Sequence, residues 1–253
     1  MPSSRAKTLL ILGGTREARE LARRVTLEIV RRVRVITSLA GRREATADYA
    51  GEVRVGGFGG IPGMLQYLVD NRVDLVVDAT HPFSAVISDH AGNACLAAGV
   101  ERLQLLRPAW RLPPKAEWLD VESAAEAAEV LPKFSRRAFL TIGVKELGQF
   151  SKLSGVWLLV RLMDAPQGAL PLKDYQVVIG RPPFALADEL KLLERHGIDT
   201  LVSKDSGSPA TEAKIAAAVE AGVKIVLIRR PPPEPGPVAE TVEDCMAWLR
   251  NRL

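Results

Sequence analysis

The stretch that decides the fold is TLLILGGTREA, residues 8–18. Residues 8–12 form an aliphatic run that reads as a strand, closed by Gly13 and Gly14. The segment beyond carries apolar residues at Ala18, Leu21, Ala22 and Val25, the spacing of one helical stripe. Strand, glycine turn and amphipathic helix in that order open a βαβ unit.

Working outward, the same alternation continues to the end of the chain. Strands are predicted over 33–36, 53–55, 73–77 and 102–106. Helices are predicted through Met64, Leu65 and Leu68, ending at Asn71, and from about 82 to 98, stopped by Gly99. Pro108, Pro113 and Pro114 interrupt the rhythm, which then restarts. The expected division is therefore 1–112 and 113–253. In the second half, strands are predicted over 118–121, 138–142, 156–162, 176–179, 200–203 and 224–228. Helices follow Ser123 and cover 184–193 and 209–221, and residues 231–237 read as a stiff polyproline-like connector before a last helix with Val242, Met246 and Leu249. The expected class is α/β: two Rossmann-like domains with mainly parallel sheets and a cleft between them. No sequence repeat relates the halves.

Composition narrows the function classes. The 253 residues are 47% hydrophobic and 25% charged, so cores form without disulfide or metal staples. A net charge of +4 with dispersed arginines argues against a nucleic-acid partner and suits an anionic small substrate. Cys95 and Cys245 have neither CxxC nor metal spacing and read as buried thiols in a reducing compartment. The first residues run into a strand pattern without a signal-peptide apolar region, and no apolar run reaches membrane-spanning length. A cytoplasmic location with no membrane partner is expected. Three scattered histidines and two lone cysteines predict no metal site, and the P-loop pattern is absent. Nothing in the pattern sets an oligomeric state.

Several strand ends carry candidate chemistry. At Gly13, Gly14 and Thr15 the backbone approaches closely and a helix N-terminus offers free N–H groups, which suits a dinucleotide phosphate or serves as a plain tight turn. The end of the second strand faces the adenosine ribose in a dinucleotide fold. An acid there favours NAD, but this chain has Thr37 and Ser38, then Gly41, Arg42 and Arg43, with no acid before Glu44. Guanidinium groups suit a 2′-phosphate, so NADPH is the expected cofactor, the alternative being solvated loop arginines. Residues 56–60, GGFGG, permit close backbone contact through Gly57 or form a loop without ligand.

Residues 78–83, DATHPF, end the clearest strand and begin a helix. Thr80 is placed beside the cofactor, and Asp78 and His81 toward the substrate, with His81 as proton donor or carboxylate binder. The same residues serve equally as a helix cap. In the second half, Lys145, Arg161, Lys204 and Ser206 stand at or near strand ends and suit substrate carboxylates, or else pair with neighbouring acids.

The motifs ILGGTREA (11–18), TSLAGR (37–42), GGFGG (56–60), DATHPF (78–83), RPAW (107–110) and KDSG (204–207), in this order, resemble the precorrin-6A reductase family over about 8 to 230. The resemblance implies reduction of one double bond of the tetrapyrrole precorrin-6A with a pyridine nucleotide, giving precorrin-6B for cobalamin. It implies two Rossmann-like domains with the site between them, the cofactor turn on Gly13, Gly14 and Thr15, and the ribose-side loop on Ser38 and Arg42. Ser208 stands where a second glycine often follows KDSG, which touches the detail of that loop. A cobalt-precorrin substrate stays open, although the arginines favour NADPH and the aerobic branch. Competing readings are an NADPH enzyme of another anionic metabolite, a non-catalytic NADP(H) sensor, and a methyltransferase. The last is disfavoured by arginines where a ribose-binding acid is expected.

Overall fold

The computed structural model describes residues 5–29, 33–41 and 49–253. In the first unit, β1 (Lys7–Leu12) leads to α1 (Arg16–Glu28), then β2 (Val33–Leu39), β3 (Glu52–Val55) and α2 (Gly60–Asp70). β4 (Leu75–Asp78), α3 (Ala85–Ala98) and β5 (Glu101–Leu105) follow. Successive side chains of β1 point to opposite faces and both faces are covered. Leu9 and Ile11 pack with Ala18, Leu21 and Val25 of α1, while Leu10 and Leu12 pack with Met64, Leu68, Ala91 and Cys95 from α2 and α3. That two-sided burial explains why the strand is continuously aliphatic. α3 starts at Ala85, later than the sequence predicts, because residues 81–84 form a turn in which Ser84 N–H donates to His81 O at 2.8 Å.

The second unit holds β6 (Trp118–Val121), α4 (Ala124–Val130), β7 (Arg137–Thr141), β8 (Trp157–Leu162) and β9 (Tyr175–Ile179). α5 (Leu186–Arg195), β10 (Thr200–Lys204), α6 (Ala213–Glu220) and β11 (Lys224–Ile228) complete it. Its core includes Phe139, Leu159, Leu201 and Ile225 from the strands, with Leu193, Ile215 and Ala218 from α5 and α6.

The chain then contributes β12 (Val238–Ala239) and α7 (Val242–Arg250) to the first unit. The parallel sheet of that unit runs β12-β5-β4-β1-β2-β3, with Val238 opposite Gln104 and Ala239 opposite Leu105. The second parallel sheet runs β6-β11-β10-β7-β8-β9. Counted from β1 and from β7, both have the strand order 3-2-1-4-5-6 of dinucleotide-binding sheets. The sixth place is exchanged: β6 follows β5 in the chain but pairs with β11, and β12 follows β11 but pairs with β5.

The compact units are accordingly 1–108 with 231–253, and 109–230. This corrects the expected division at 112/113, which kept everything after it together. A two-residue strand behind a proline run carries too little periodicity to announce where it pairs. The strand order reverses between β1 and β4 in one sheet and between β7 and β10 in the other, the places where such sheets bind ligands. No helix among the described residues is long and apolar enough to cross a membrane.

Candidate functional site

The glycine turn after β1 is built by two different constraints. Gly13 N–H donates to Ser38 O at 2.8 Å, and a Cβ at Gly13 would stand 2.8 Å from Thr37 Cγ2, so the close approach of β1 to β2 requires glycine. Gly14 has φ +107°, which disfavours a side chain, and among the described residues nothing lies within 4 Å of where its Cβ would stand. Its N–H donates to Tyr49 Oη at 3.3 Å. Thr15 caps α1: its Oγ1 accepts from Ala18 N–H at 3.1 Å and donates to Ala79 O at 2.6 Å. Thr15 is thus buried and ties the helix N-terminus to the end of β4 across the reversal point. The positive end of α1 faces the carboxyl edge of the sheet, where an anion is stabilised.

Beside it, at the carboxyl end of β2, Ser38 lies opposite Arg54 of β3. Arg54 Nη1 donates to Ser38 Oγ at 2.7 Å and to Gly56 O at 3.0 Å, and Nη2 donates to Gly57 O at 3.0 Å. The guanidinium lies over the Phe58 ring, 3.9 Å from its centroid, and 4.9 Å from that of Tyr67. Gly57 therefore enters through its carbonyl, as an acceptor for Arg54. Arg42 and Arg43 fall outside the described residues.

At the end of β4, Asp78 is buried and its Oδ1 accepts from Thr80 N–H at 3.1 Å and Thr80 Oγ1 at 2.7 Å. Its Oδ2 is 3.9 Å from Arg102 Nη1. Both oxygens face groups of their own unit, so Asp78 and Thr80 hold the turn in the manner of the cap alternative. His81 is exposed; its Nδ1 accepts from Phe83 N–H at 3.2 Å, which places the neutral ring's proton on Nε2. Thr80, His81, Ser88, Gln104 and residues 231–234 line a depression at the ends of β4 and β5. The Gln104 amide donates to Glu234 O at 2.6 Å and accepts from Glu234 N–H at 3.1 Å, extending the ladder to a connector whose prolines lack donors.

In the second unit, Thr141 ends β7 and donates to Val202 O of β10 at 3.1 Å. Lys145 is exposed on the following 3-10 turn, Val144–Phe150. Lys204 Nζ pairs with Glu146 Oε1 at 2.9 Å, and Ser206 is buried with its Oγ accepting from Ser208 N–H at 3.4 Å. Arg161, expected to face substrate, makes a bidentate pair with the buried Glu189, at 3.0 and 2.7 Å. The ring of Phe184 lies 4.1 Å from its guanidinium, so the cation is held inside the fold.

The sequence offered no cue to Lys214, an isolated lysine in an alanine-rich helix. It is buried, donates to Thr141 Oγ1 at 2.9 Å, and lies 5.5 Å from the centre of the Trp110 ring. Burial, reinforced by the charge of Arg161 and opposed by Glu189, pushes its pKa down to about 7. Arg54, Tyr49, Glu146 and Glu189 also escaped the sequence reading. Each acquires its place through a partner distant in the chain.

The precorrin-6x reductase CbiJ/CobK family model matches residues 8–250. A precorrin-6A reductase of Rhodococcus erythropolis is 42% identical over 95% of this chain and 96% of its own length. A cobalt-precorrin-6A reductase of Salmonella typhimurium is 28% identical over 89% and 88%. A solved structure of CobK precorrin-6A reductase superposes with a TM-score of 0.88 at 37% identity, covering 97% of this chain and 96% of that one.

Proposed function

The chain belongs to the precorrin-6x reductase CbiJ/CobK family, and from that premise we propose that it reduces one double bond of precorrin-6A, giving precorrin-6B, with NADPH as the reductant. The observation that carries this reading is the family match over residues 8–250 together with a 3-2-1-4-5-6 sheet whose first turn is the glycine turn at 13–14. The first unit fits a dinucleotide. Among the described residues open space borders Gly14, the N-terminus of α1 faces it, and the paired ends of β2 and β3 present Ser38 and Arg54 in place of an acid.

Gly13, Gly14 and Thr15 would hold the pyrophosphate, Ser38 and Gly57 the ribose side, and Thr80 the far half beside the depression. A reduced nicotinamide, when bound, supplies the hydride. The chain's own residues orient the macrocycle, hold its acids and deliver the proton. Lys145, Lys204 and Ser206 suit the carboxylates. His81, an exposed residue, suits the proton: His81→Ala should alter the pH dependence of the maximal rate, and an unchanged profile removes it from that role.

Purified protein mixed with precorrin-6A, followed by the substrate's absorption spectrum with NADPH and then NADH, tests the reading. Turnover with an NADPH preference is expected. NADPH binding without turnover returns the chain to a sensor or to another anionic substrate.

A further inference from the structure

We propose that Arg54 receives the 2′-phosphate of the cofactor and so sets the preference for NADPH over NADH, a proposal that rests on the pyridine-nucleotide reading above. The sequence places that role on Arg42 and Arg43; the geometry points to an arginine on the neighbouring strand. Arg54 stands directly opposite Ser38 at the carboxyl end of β2, where a dinucleotide sheet brings the adenosine ribose.

Three features distinguish Arg54 from a structural cation. First, its hydrogen-bond partners are all neutral: the Ser38 hydroxyl and the carbonyls of Gly56 and Gly57. Arg34, on the same pair of strands, is closed by a two-pronged pair with Glu52 at 2.7 Å on each arm. Arg54 is half-buried and has no ion pair among the described residues, and burial disfavours its charge without a carboxylate to offset it. A partly desolvated cation lacking a counter-ion is stabilised when an anion arrives.

Second, the donors left over have the right arrangement. Guanidinium has five N–H groups. Nη1 makes two of the hydrogen bonds above and Nη2 one. Nε–H and the second N–H of Nη2 make no hydrogen bond among the described residues. Nε and Nη2 share one edge of the guanidinium plane, and a pair of donors on such an edge matches two oxygens of a phosphate. Ser38, having accepted from Arg54, keeps its own proton to donate to the same group.

Third, the group is held in place beforehand. Phe58 and Tyr67 flank the guanidinium, and their rings meet edge to face at 5.3 Å between centroids. A long side chain fixed in this way loses little further freedom on binding.

The test is calorimetric binding of NADP⁺ and NAD⁺ to the full chain as wild type, Arg54→Met, Arg54→Lys and Arg42→Ala. Arg54→Met should weaken NADP⁺ about 10–100-fold, the loss of a charge-assisted contact, and leave NAD⁺ within about 2-fold. Arg54→Lys, a point charge without the paired donors, should fall between wild type and Arg54→Met. Equal weakening of both nucleotides would show that Arg54 only holds the glycine loop and would overturn the proposal. So would a preserved NADP⁺ preference in Arg54→Met, or loss of that preference in Arg42→Ala alone. Those results leave the cofactor reading standing, whereas a wild type that binds both nucleotides equally removes the NADPH reading and the proposal with it.

Discussion

Lys214 Nζ donates to Thr141 Oγ1 across 2.9 Å, joining α6 to the carboxyl end of β7 at a place where the lysine is buried. Burial lowers its pKa from an ordinary 10.5 to about 7. Between those values the unfolded chain binds a proton that the folded chain does not, so stability rises with pH across the window, at up to about 1.4 kcal/mol per pH unit. Below about 7 the folded state is protonated as well and the dependence levels off. Lys214→Met should melt higher than wild type at pH 7, with the gap narrowing by pH 9. Thermal melts at the two pH values check this, and parallel shifts would contradict the buried, neutral amine.

Thr15 supports two elements through one hydroxyl, accepting from Ala18 N–H and donating to Ala79 O. Thr15→Ala should cost about 1–2 kcal/mol in denaturant unfolding, from the lost cap and the carbonyl left unpaired. Thr15→Ser should recover most of it.

Gly13 and Gly14 should fail differently. Alanine at Gly13 meets Thr37 Cγ2 at 2.8 Å and Leu39 Cδ2 at 3.1 Å, an overpacking expected to cost about 1–3 kcal/mol. Alanine at Gly14 meets nothing within 4 Å among the described residues and is disfavoured there only by φ +107°, at about 1–2 kcal/mol. Space-restoring Thr37→Ser should rescue Gly13→Ala and leave Gly14→Ala unchanged, as read by melting temperature.

Arg161 and Glu189 form a buried pair, so removing one partner leaves an uncompensated charge. Arg161→Met should destabilise by about 3–5 kcal/mol, and Arg161→Met with Glu189→Met should regain much of the loss. A stable Arg161→Met with a raised KM for the tetrapyrrole would instead return Arg161 to the substrate role read from its position near a strand end.

What was legible in the sequence divides along a physical line. β1, β4, α1 and the turn at 13–15 announce themselves because their constraints are local: continuous burial, a 3.6-residue stripe and a glycine at positive φ. Asp78 and Thr80 could be placed at a strand end, but not whether they face a ligand or one another. Arg54, Lys214 and the Arg161–Glu189 pair were hidden because burial and pairing come from strands and helices far apart in the chain. β12 has no sequence signature for a related reason: two residues have no period, and its partner lies more than a hundred residues earlier.

The most direct measurement of the central claim is the mass of the tetrapyrrole formed from precorrin-6A with NADPH deuterated at both C4 positions. Hydride transfer from the nucleotide gives a product heavier by one deuterium than that made with unlabelled NADPH. A reduced product carrying no deuterium would contradict hydride delivery from the nucleotide.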